Sequence, residues 1–349
     1  DLDDPFYETD LVNGFTNNGF YNGWLPNDPV VKNNIKYVTV YSANDISKAI
    51  SEYKKNEYPN QSIIVKNTGH DYVGRSCPNE DNCLVLWTHK MTKIRWEGKT
   101  NVAKNYPDME LINDVPLLKD EDDEEDTKPL KRLNSLQLDP NINYEPYELG
   151  HCTVEAGVQW YKVFDYMLKT TGNSNNNIDV WAMKGASNTV GAAGGWILDG
   201  GFGLFSKLYG MGIDNVIAME VVLADGTIHN VSEQSESIDD QEIFKMFKGS
   251  GACNFGIVSK VTYKLLSALT SYGDIFMHFD CSQMTDKEYV QFLDIVLKSN
   301  FLTGKYFGGA LQIFRDKIDC FIQYGNIFFY DIIDEFVKPF LTTVNELFS

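Results

Sequence analysis

The spacing of apolar residues in the first half of the chain predicts strands alternating with amphipathic helices. Helical spacing follows a Ser42–Asp45 cap, and it occurs again over 158–168, ahead of Gly172. The strand-like segments are rich in β-branched and aromatic residues and cover 37–41, 63–65, 84–87 and 152–156. This order favours a mixed fold with short connections.

The second half of the chain continues the pattern and then restarts it. A hairpin with its turn at Asp225-Gly226, a short helix near Phe244 and a long strand over 255–266 complete an α+β domain. A βαββα unit follows, with strands near 275–279, 310–314 and 320–324 and helices over 289–297 and 332–347. We therefore expect an N-terminal extension (1–36), a main domain (37–266) and a smaller domain (267–349).

One long segment of the main domain has no periodic apolar pattern. It runs over 101–148 and contains seven consecutive acids at 120–126. Such a run repels itself and buries nothing, so we expect a solvated, mobile insertion. Calcium loops need spaced oxygen ligands and a turn glycine, so no metal site is predicted there.

Charge and composition exclude several function classes. The net charge of −19 argues against a nucleic-acid partner, and no apolar run is long enough to span a bilayer. The chain begins at Asp1, as a processed or trimmed polypeptide would.

Cysteines and glycosylation sequons favour the secretory pathway. Cys77 and Cys83 bracket a turn-rich loop, so they are either a disulfide or two separate thiols. Sequons begin at Asn60 and Asn230. We expect a secreted glycoprotein.

The segment 63–76 carries the most specific chemistry. A buried-type strand leads into a polar loop that places His70 between a glycine and an aspartate. Gly69 and Gly74 allow close approach of the backbone, and the amides between them suit an anion. The histidine either holds a ligand or only hydrogen-bonds within its loop.

Two further glycine-rich segments follow, at 185–203 and 249–258. A flat ligand with a pyrophosphate needs nearby amides and no obstructing side chains, whereas a flexible linker would not interleave Val190, Trp196 and Phe202. The last segment follows a helix and opens a strand, the reverse of a Rossmann fingerprint. No P-loop motif occurs.

These three segments, in this order, resemble the FAD-linked oxidases of the vanillyl-alcohol-oxidase type, in their berberine-bridge-like branch. The resemblance implies an α+β fold: a PCMH-type FAD-binding domain of two subdomains, followed by a partial α/β substrate domain with an antiparallel sheet and helices. It also implies FAD as the cofactor, bonded covalently through its 8α-methyl group to His70.

The resemblance further implies the remaining cofactor contacts. They are Lys66, Asn67, Thr68, Gly69, Asp71, Gly74, Arg75 and Ser76 in the first segment, Gly185, Ala186, Ser187, Val190, Gly191, Gly194 and Gly195 in the second, and Gly251, Gly256 and Ile257 in the third. Ser187 stands where many relatives carry a second attachment residue, a cysteine. A hydroxyl is a poor substitute for a thiolate, so we expect attachment through His70 alone.

The implied reaction is oxidation of an alcohol-type small molecule, a sugar or a secondary metabolite, with O2 reoxidising the flavin to give H2O2. Ala192 and Ala193 lie where relatives control oxygen access, although close packing explains such small residues equally well. Alternatives are a flavin dehydrogenase with another electron acceptor and a non-catalytic FAD-binding module. The substrate domain looks incomplete, so the chain is either a fragment or a divergent short form. No catalytic base is predicted.

Overall fold

The computed structural model describes residues 36–55, 62–71, 76, 82–98, 148–171, 180–185, 187–249, 251, 255–269, 272–299, 302, 304–325 and 332–347. The expected N-terminal extension, the acidic insertion, Cys77 and Asn60 lie outside these residues, except for Lys36 and Glu148. The described chain forms two compact units. One comprises 36–98, 148–202 and 211–266, and the other comprises 203–210 and 267–347.

The first unit contains a three-stranded parallel sheet with the order β1-β3-β2. Its strands are β1 (Lys36–Thr39), β2 (Ser62–Lys66) and β3 (Cys83–Trp87). Every residue of the central strand is buried, as is usual for a parallel strand covered on both faces. Ser42 caps helix α1 (Ala43–Lys54), because its side chain accepts a hydrogen bond from the Asp45 amide. This cap was predicted from the sequence.

A larger antiparallel sheet has the order β4-β5-β9-β7-β8, and the short strand β6 also pairs with β9. Its strands are β4 (Ile94–Gly98), β5 (Glu148–Glu155), β6 (Val180–Trp181), β7 (Val216–Leu223), β8 (Ile228–Ser232) and β9 (Gly256–Ser267). The predicted hairpin is confirmed as β7–β8, and Gly226 in its turn has φ +90°, which favours glycine. The sequence did not predict β4 or β6.

Helices of the first unit include α2 (Trp160–Thr171), the single-turn α3 (Gly195–Leu198) and α5 (Ile238–Gly249), which is longer than predicted. The core of the larger sheet contains Trp160, Phe244 and Tyr263. A second core joins α1 and the parallel sheet to Ala156, Val222 and Ile257 of the larger sheet. The two sheets of this unit therefore share packing, which Ala156, directly after β5, joins.

The second unit has the predicted βαββα order. Strands β10 (Tyr272–Asp280), β11 (Phe307–Ile313) and β12 (Lys317–Gly325) form an antiparallel sheet with β12 in the centre. Helix α6 (Asp286–Lys298) begins with a Thr285/Glu288 capping box. A π-helix over Ile332–Val337 continues into α7 (Lys338–Leu347), and the short α4 (Ser206–Tyr209) belongs to the same unit. The predicted α+β class with an antiparallel sheet in this unit is confirmed.

Candidate cofactor site

The loop that follows β2 carries His70 and is held to the parallel sheet. The Trp87 indole nitrogen donates to the Asn67 carbonyl oxygen at 3.0 Å. Gly69 has φ +81°, a conformation that strains residues with a Cβ, and the Asp71 amide donates to the Gly69 carbonyl at 2.9 Å. The loop therefore presents His70 from a turn that glycine permits.

The structure brings this loop against the second glycine-rich segment. The His70 Nε2 atom lies 2.8 Å from the Thr189 hydroxyl oxygen, and the Gly191 amide donates to the Thr68 hydroxyl at 3.1 Å. These residues are more than 100 positions apart in sequence. The two segments predicted to contact the cofactor are thus adjacent in the fold.

Asn67 packs so closely against two glycines of the second segment that no larger residue fits at their positions. A Cβ on Gly191 would lie 2.3 Å from Asn67 Oδ1, and a Cβ on Gly194 would lie 2.8 Å from Asn67 Nδ2. Gly195 differs, because a Cβ there would meet no protein atom within 4 Å. Gly191 and Gly194 therefore let the two loops close on each other, and Gly195 borders open space.

The Asn67 side chain contains an unsatisfied buried acceptor. Its Nδ2 donates to the Ala156 carbonyl oxygen, and its Oδ1 is buried with no hydrogen-bond partner in the described structure. A buried acceptor without a partner costs about 1–3 kcal/mol. An acceptor without a partner, in a loop packed against a glycine-rich segment, is what a site for a polar, close-fitting cofactor such as FAD would provide.

Burial tunes the basic groups around the two loops. It lowers the pKa of His70, because the charged imidazolium is less well solvated than the neutral ring. It likewise lowers the pKa of Lys184, whose Nζ donates to Asn188 Oδ1 at 2.7 Å. Lys66 is buried and its Nζ lies 4.5 Å from the centre of the Trp87 ring, in a cation–π arrangement. A neutral His70 is nucleophilic, whereas a protonated one is not.

Ser187 takes part in a short chain of hydroxyl groups. Its Oγ lies 3.2 Å from the Thr189 hydroxyl oxygen, which also contacts His70. Thr189 was not predicted from the sequence, although it lies two positions after Ser187 within the glycine-rich segment 185–203. A polar, β-branched residue among glycines and alanines was the available signal.

The third predicted segment, 249–258, runs from the end of α5 into the start of β9. Gly251 has φ +76°, and a Cβ on Gly256 would lie 2.7 Å from the Val222 carbonyl oxygen. Ile257 pairs with Val222 across β7 and β9 and is buried in the core that the two sheets share. Their described contacts are thus packing contacts within the first unit.

Several predicted residues have packing roles or lie outside the described residues. Ala192 and Ala193 are buried in the core, and the Tyr263 hydroxyl donates to the Ala192 carbonyl, which favours the close-packing explanation for both alanines. A Cβ on Gly185 would lie 2.8 Å from the Trp196 indole nitrogen. The Ser76 amide donates to the Asp71 carboxylate. The predicted residues outside the described ranges are Gly74, Arg75 and Ala186.

The described residues contain neither a metal-binding cluster nor a membrane-spanning helix. No cluster of three or more His, Cys, Asp or Glu side chains with metal-binding geometry occurs among them. No helix in the same ranges is long and apolar enough to cross a membrane.

Part of the chain matches a known FAD-binding family. Residues 130–232 match the family described as FAD binding domain. The FAD-linked oxidoreductase phmC of Phaeosphaeria nodorum is 25% identical over 235 residues, which are 66% of this chain and 40% of that protein. An FAD-linked oxidoreductase of Arthroderma benhamiae and ffsJ of Aspergillus flavipes are each 26% identical to this chain, and the match covers 31% of the length of each. The chain thus spans about a third to two fifths of the length of these relatives.

Solved structures share the fold. The VAO-type flavoprotein MtVAO615 from Myceliophthora thermophila has a TM-score of 0.63 at 22% identity, covering 89% of this chain and 46% of that chain. The glucooligosaccharide oxidase of Acremonium strictum, which contains 6-S-cysteinyl, 8α-N1-histidyl FAD, has a TM-score of 0.60 at 18% identity, covering 89% and 51%. The match over residues 130–232 and the FAD-linked relatives indicate FAD as the cofactor, and the chain shares the fold of VAO-type flavoproteins.

Proposed function

We propose that the protein is an FAD-linked oxidase that acts on an alcohol-type small molecule, a sugar or a secondary metabolite. The observation that carries this proposal is the convergence of the His70 loop and the 187–195 loop around the unpaired Asn67 oxygen. Bound FAD supplies a two-electron acceptor that takes hydride at N5 and is reoxidised by O2 with release of H2O2.

Each loop has a distinct task in this proposal. His70 ties the cofactor covalently, which prevents its loss. Asn67 Oδ1 accepts a hydrogen bond from the cofactor, since no described residue donates one to it, and Gly195 leaves space for a ligand surface. Backbone amides of the glycine-rich segments suit the pyrophosphate. Gly74, Arg75 and Ala186 remain predicted contacts of the cofactor.

Attachment at one residue follows from the side chain at position 187. The Acremonium enzyme has both a cysteinyl and a histidyl bond to its flavin. In this chain position 187 is a serine whose hydroxyl contacts Thr189. We therefore propose a single covalent bond, at His70, and we assign no residue to proton abstraction from the substrate.

A flavin dehydrogenase is the second candidate. Both Ala192 and Ala193 are buried in the protein core, so these small residues give no support to oxygen access. The preferred electron acceptor must therefore be measured.

The experiment combines anaerobic reduction with reoxidation. Flavin-loaded protein is mixed under nitrogen with alcohols, mono- and oligosaccharides, and loss of flavin absorbance is followed. We expect at least one substrate to bleach the flavin and O2 to restore the colour with stoichiometric H2O2. Restoration by a dye but not by O2 would identify a dehydrogenase, and failure of every substrate to bleach the flavin would favour a binding module.

We also propose that the protein is a secreted glycoprotein. The sequon residue Asn230 is exposed on β8, as a glycosylated asparagine must be. Treatment of native protein with an endoglycosidase should lower its apparent mass, and Asn230→Gln should remove that part of the shift. An unchanged mass would contradict this proposal.

A further inference from the structure

Thr189 is held in place by the backbone on both sides of it. The Tyr161 amide donates to the Asn188 carbonyl at 2.8 Å, and the Trp160 amide donates to the Val190 carbonyl at 3.1 Å. The Thr189 carbonyl itself accepts from Gln159 Nε2 at 2.9 Å. The hydroxyl that faces His70 is therefore fixed by the start of α2, and the 2.8 Å contact is a built feature of the site.

A neutral imidazole has one proton, and its position decides which nitrogen is nucleophilic. When Nε2 carries the proton, it donates to the Thr189 hydroxyl oxygen, and Nδ1 is the unprotonated, nucleophilic nitrogen. In this tautomer the Thr189 hydroxyl can donate in turn to Ser187 Oγ, which lies 3.2 Å away. The two contacts are thus compatible with a chain of hydrogen bonds that runs from His70 to Ser187.

We propose that Thr189 is a positioning residue that holds His70 in the tautomer protonated on Nε2, so that Nδ1 forms the bond to the flavin 8α carbon. This inference rests on the proposed covalent attachment at His70. It adds a role for a residue that is not itself bonded to the cofactor, and it gives Ser187 a function in place of a second attachment.

Attachment forms one bond, breaks two and is a two-electron oxidation. The Nδ1–C bond forms, while one C–H bond of the 8α-methyl group and the Nε2–H bond break, releasing two protons. The two electrons of the C–H bond remain in the flavin ring, and O2 removes them with two protons as H2O2. The Nε2 proton leaves towards the Thr189 hydroxyl, which is itself exposed to solvent.

The test measures covalent incorporation directly. Flavin-free protein is mixed with FAD in air, samples are denatured in acid at intervals, and the flavin remaining in the washed precipitate is quantified. Thr189→Val keeps the shape of the side chain but removes the hydroxyl. We expect it to bind FAD reversibly and to attach it at least about tenfold more slowly, equivalent to about 1.4 kcal/mol. Thr189→Ser should restore the rate.

The chain offers a matched control. The Thr227 hydroxyl lies 3.0 Å from His229 Nε2, a threonine–histidine contact of the same kind elsewhere in the first unit. Thr227→Val should leave the attachment rate unchanged. NMR of the isolated flavin peptide adds a readout that a purely structural role would not change: we expect one Nδ1-linked isomer in the unsubstituted protein and a fraction of Nε2-linked isomer in Thr189→Val.

The outcomes separate this inference from the proposed function. Covalent flavin at His70 with the same rate and the same isomer in Thr189→Val would overturn the role of Thr189 alone. Absence of covalent flavin from the unsubstituted protein would overturn the proposed attachment itself. A slower rate in Thr227→Val equal to that of Thr189→Val would show a general loss of stability and would also refute the assignment.

Discussion

Replacing Gly191 with alanine tests whether the two loops must touch. The new Cβ would lie 2.3 Å from Asn67 Oδ1, 2.9 Å from Cγ and 3.1 Å from Nδ2. The Asn67 side chain cannot swing away without losing the hydrogen bond from Nδ2 to the Ala156 carbonyl. The Gly191 amide also donates to Thr68, so movement of the glycine would break a second contact between the loops.

The expected cost has two parts. Overpacking of this kind costs about 1–3 kcal/mol, and loss of one hydrogen bond adds about 1 kcal/mol. We therefore expect Gly191→Ala to lower the free energy of unfolding of the first unit by about 3 kcal/mol. For a unit of this size the melting temperature should fall by roughly 6–12 °C.

Gly195→Ala is the matched control, four positions along the same segment. Its Cβ would meet no protein atom within 4 Å, and Gly195 is the first residue of the short helix α3. We expect the melting temperature of the flavin-free protein to remain within about 2 °C of the unsubstituted value. FAD affinity should nevertheless fall by about tenfold, because the methyl group enters the space proposed for the cofactor.

Calorimetry of both variants without flavin and titration with FAD provide the assay. Equal melting temperatures for Gly191→Ala and the unsubstituted protein would refute the close approach of the loops. A Gly195→Ala variant that binds FAD normally would refute the proposed use of the space beside it.

Three other predictions follow from packing and burial. Gly308→Ala places a Cβ 1.6 Å from the Leu204 carbonyl oxygen, so it should cost the second unit more than about 3 kcal/mol in urea unfolding, and an unchanged midpoint would contradict this. Burial raises the pKa of Tyr263, so the phenol stays neutral in the folded state. In the unfolded chain it ionises above a pH of about 10, and the free energy of unfolding therefore falls as the pH rises above that value. Tyr263→Phe should therefore reduce the loss by about 1.4 kcal/mol per pH unit, while costing about 1 kcal/mol at neutral pH through the lost hydrogen bond to Ala192. Burial also raises the pKa of Cys152 to about 12, which leaves a thiolate fraction of about 10⁻⁴ at pH 8. Iodoacetamide should therefore label Cys152 only after urea has unfolded the protein. Labelling of the native protein would show that Cys152 is not buried.

Local patterns predicted most of the secondary structure because apolar spacing and caps act over a few residues. The Ser42 cap, the Gly226 turn and the restart of the pattern near Tyr272 all correspond to observed elements. Strand β4 was missed although Ile94 and Trp96 alternate with charged residues, since five residues give a weak signal.

The candidate site was only partly predictable, because its contacts join distant parts of the chain. The glycines were predicted to make room for a ligand, yet Gly191 and Gly194 first make room for Asn67. The contact between His70 and Thr189 depends on the pairing of residues 188–192 with the start of α2, which no local pattern reveals. Residue types indicated the chemistry, and tertiary structure supplied the partners.

The central claim is that His70 holds the flavin covalently. The most direct measurement is the absorbance of purified, FAD-reconstituted protein after acid precipitation, combined with peptide mass mapping, for the unsubstituted chain, His70→Ala and the control His151→Ala. We predict flavin colour in the precipitates of the unsubstituted protein and His151→Ala, with the adduct on the His70 peptide, and none in that of His70→Ala. A colourless precipitate from the unsubstituted protein, or an adduct on another residue, would contradict the claim.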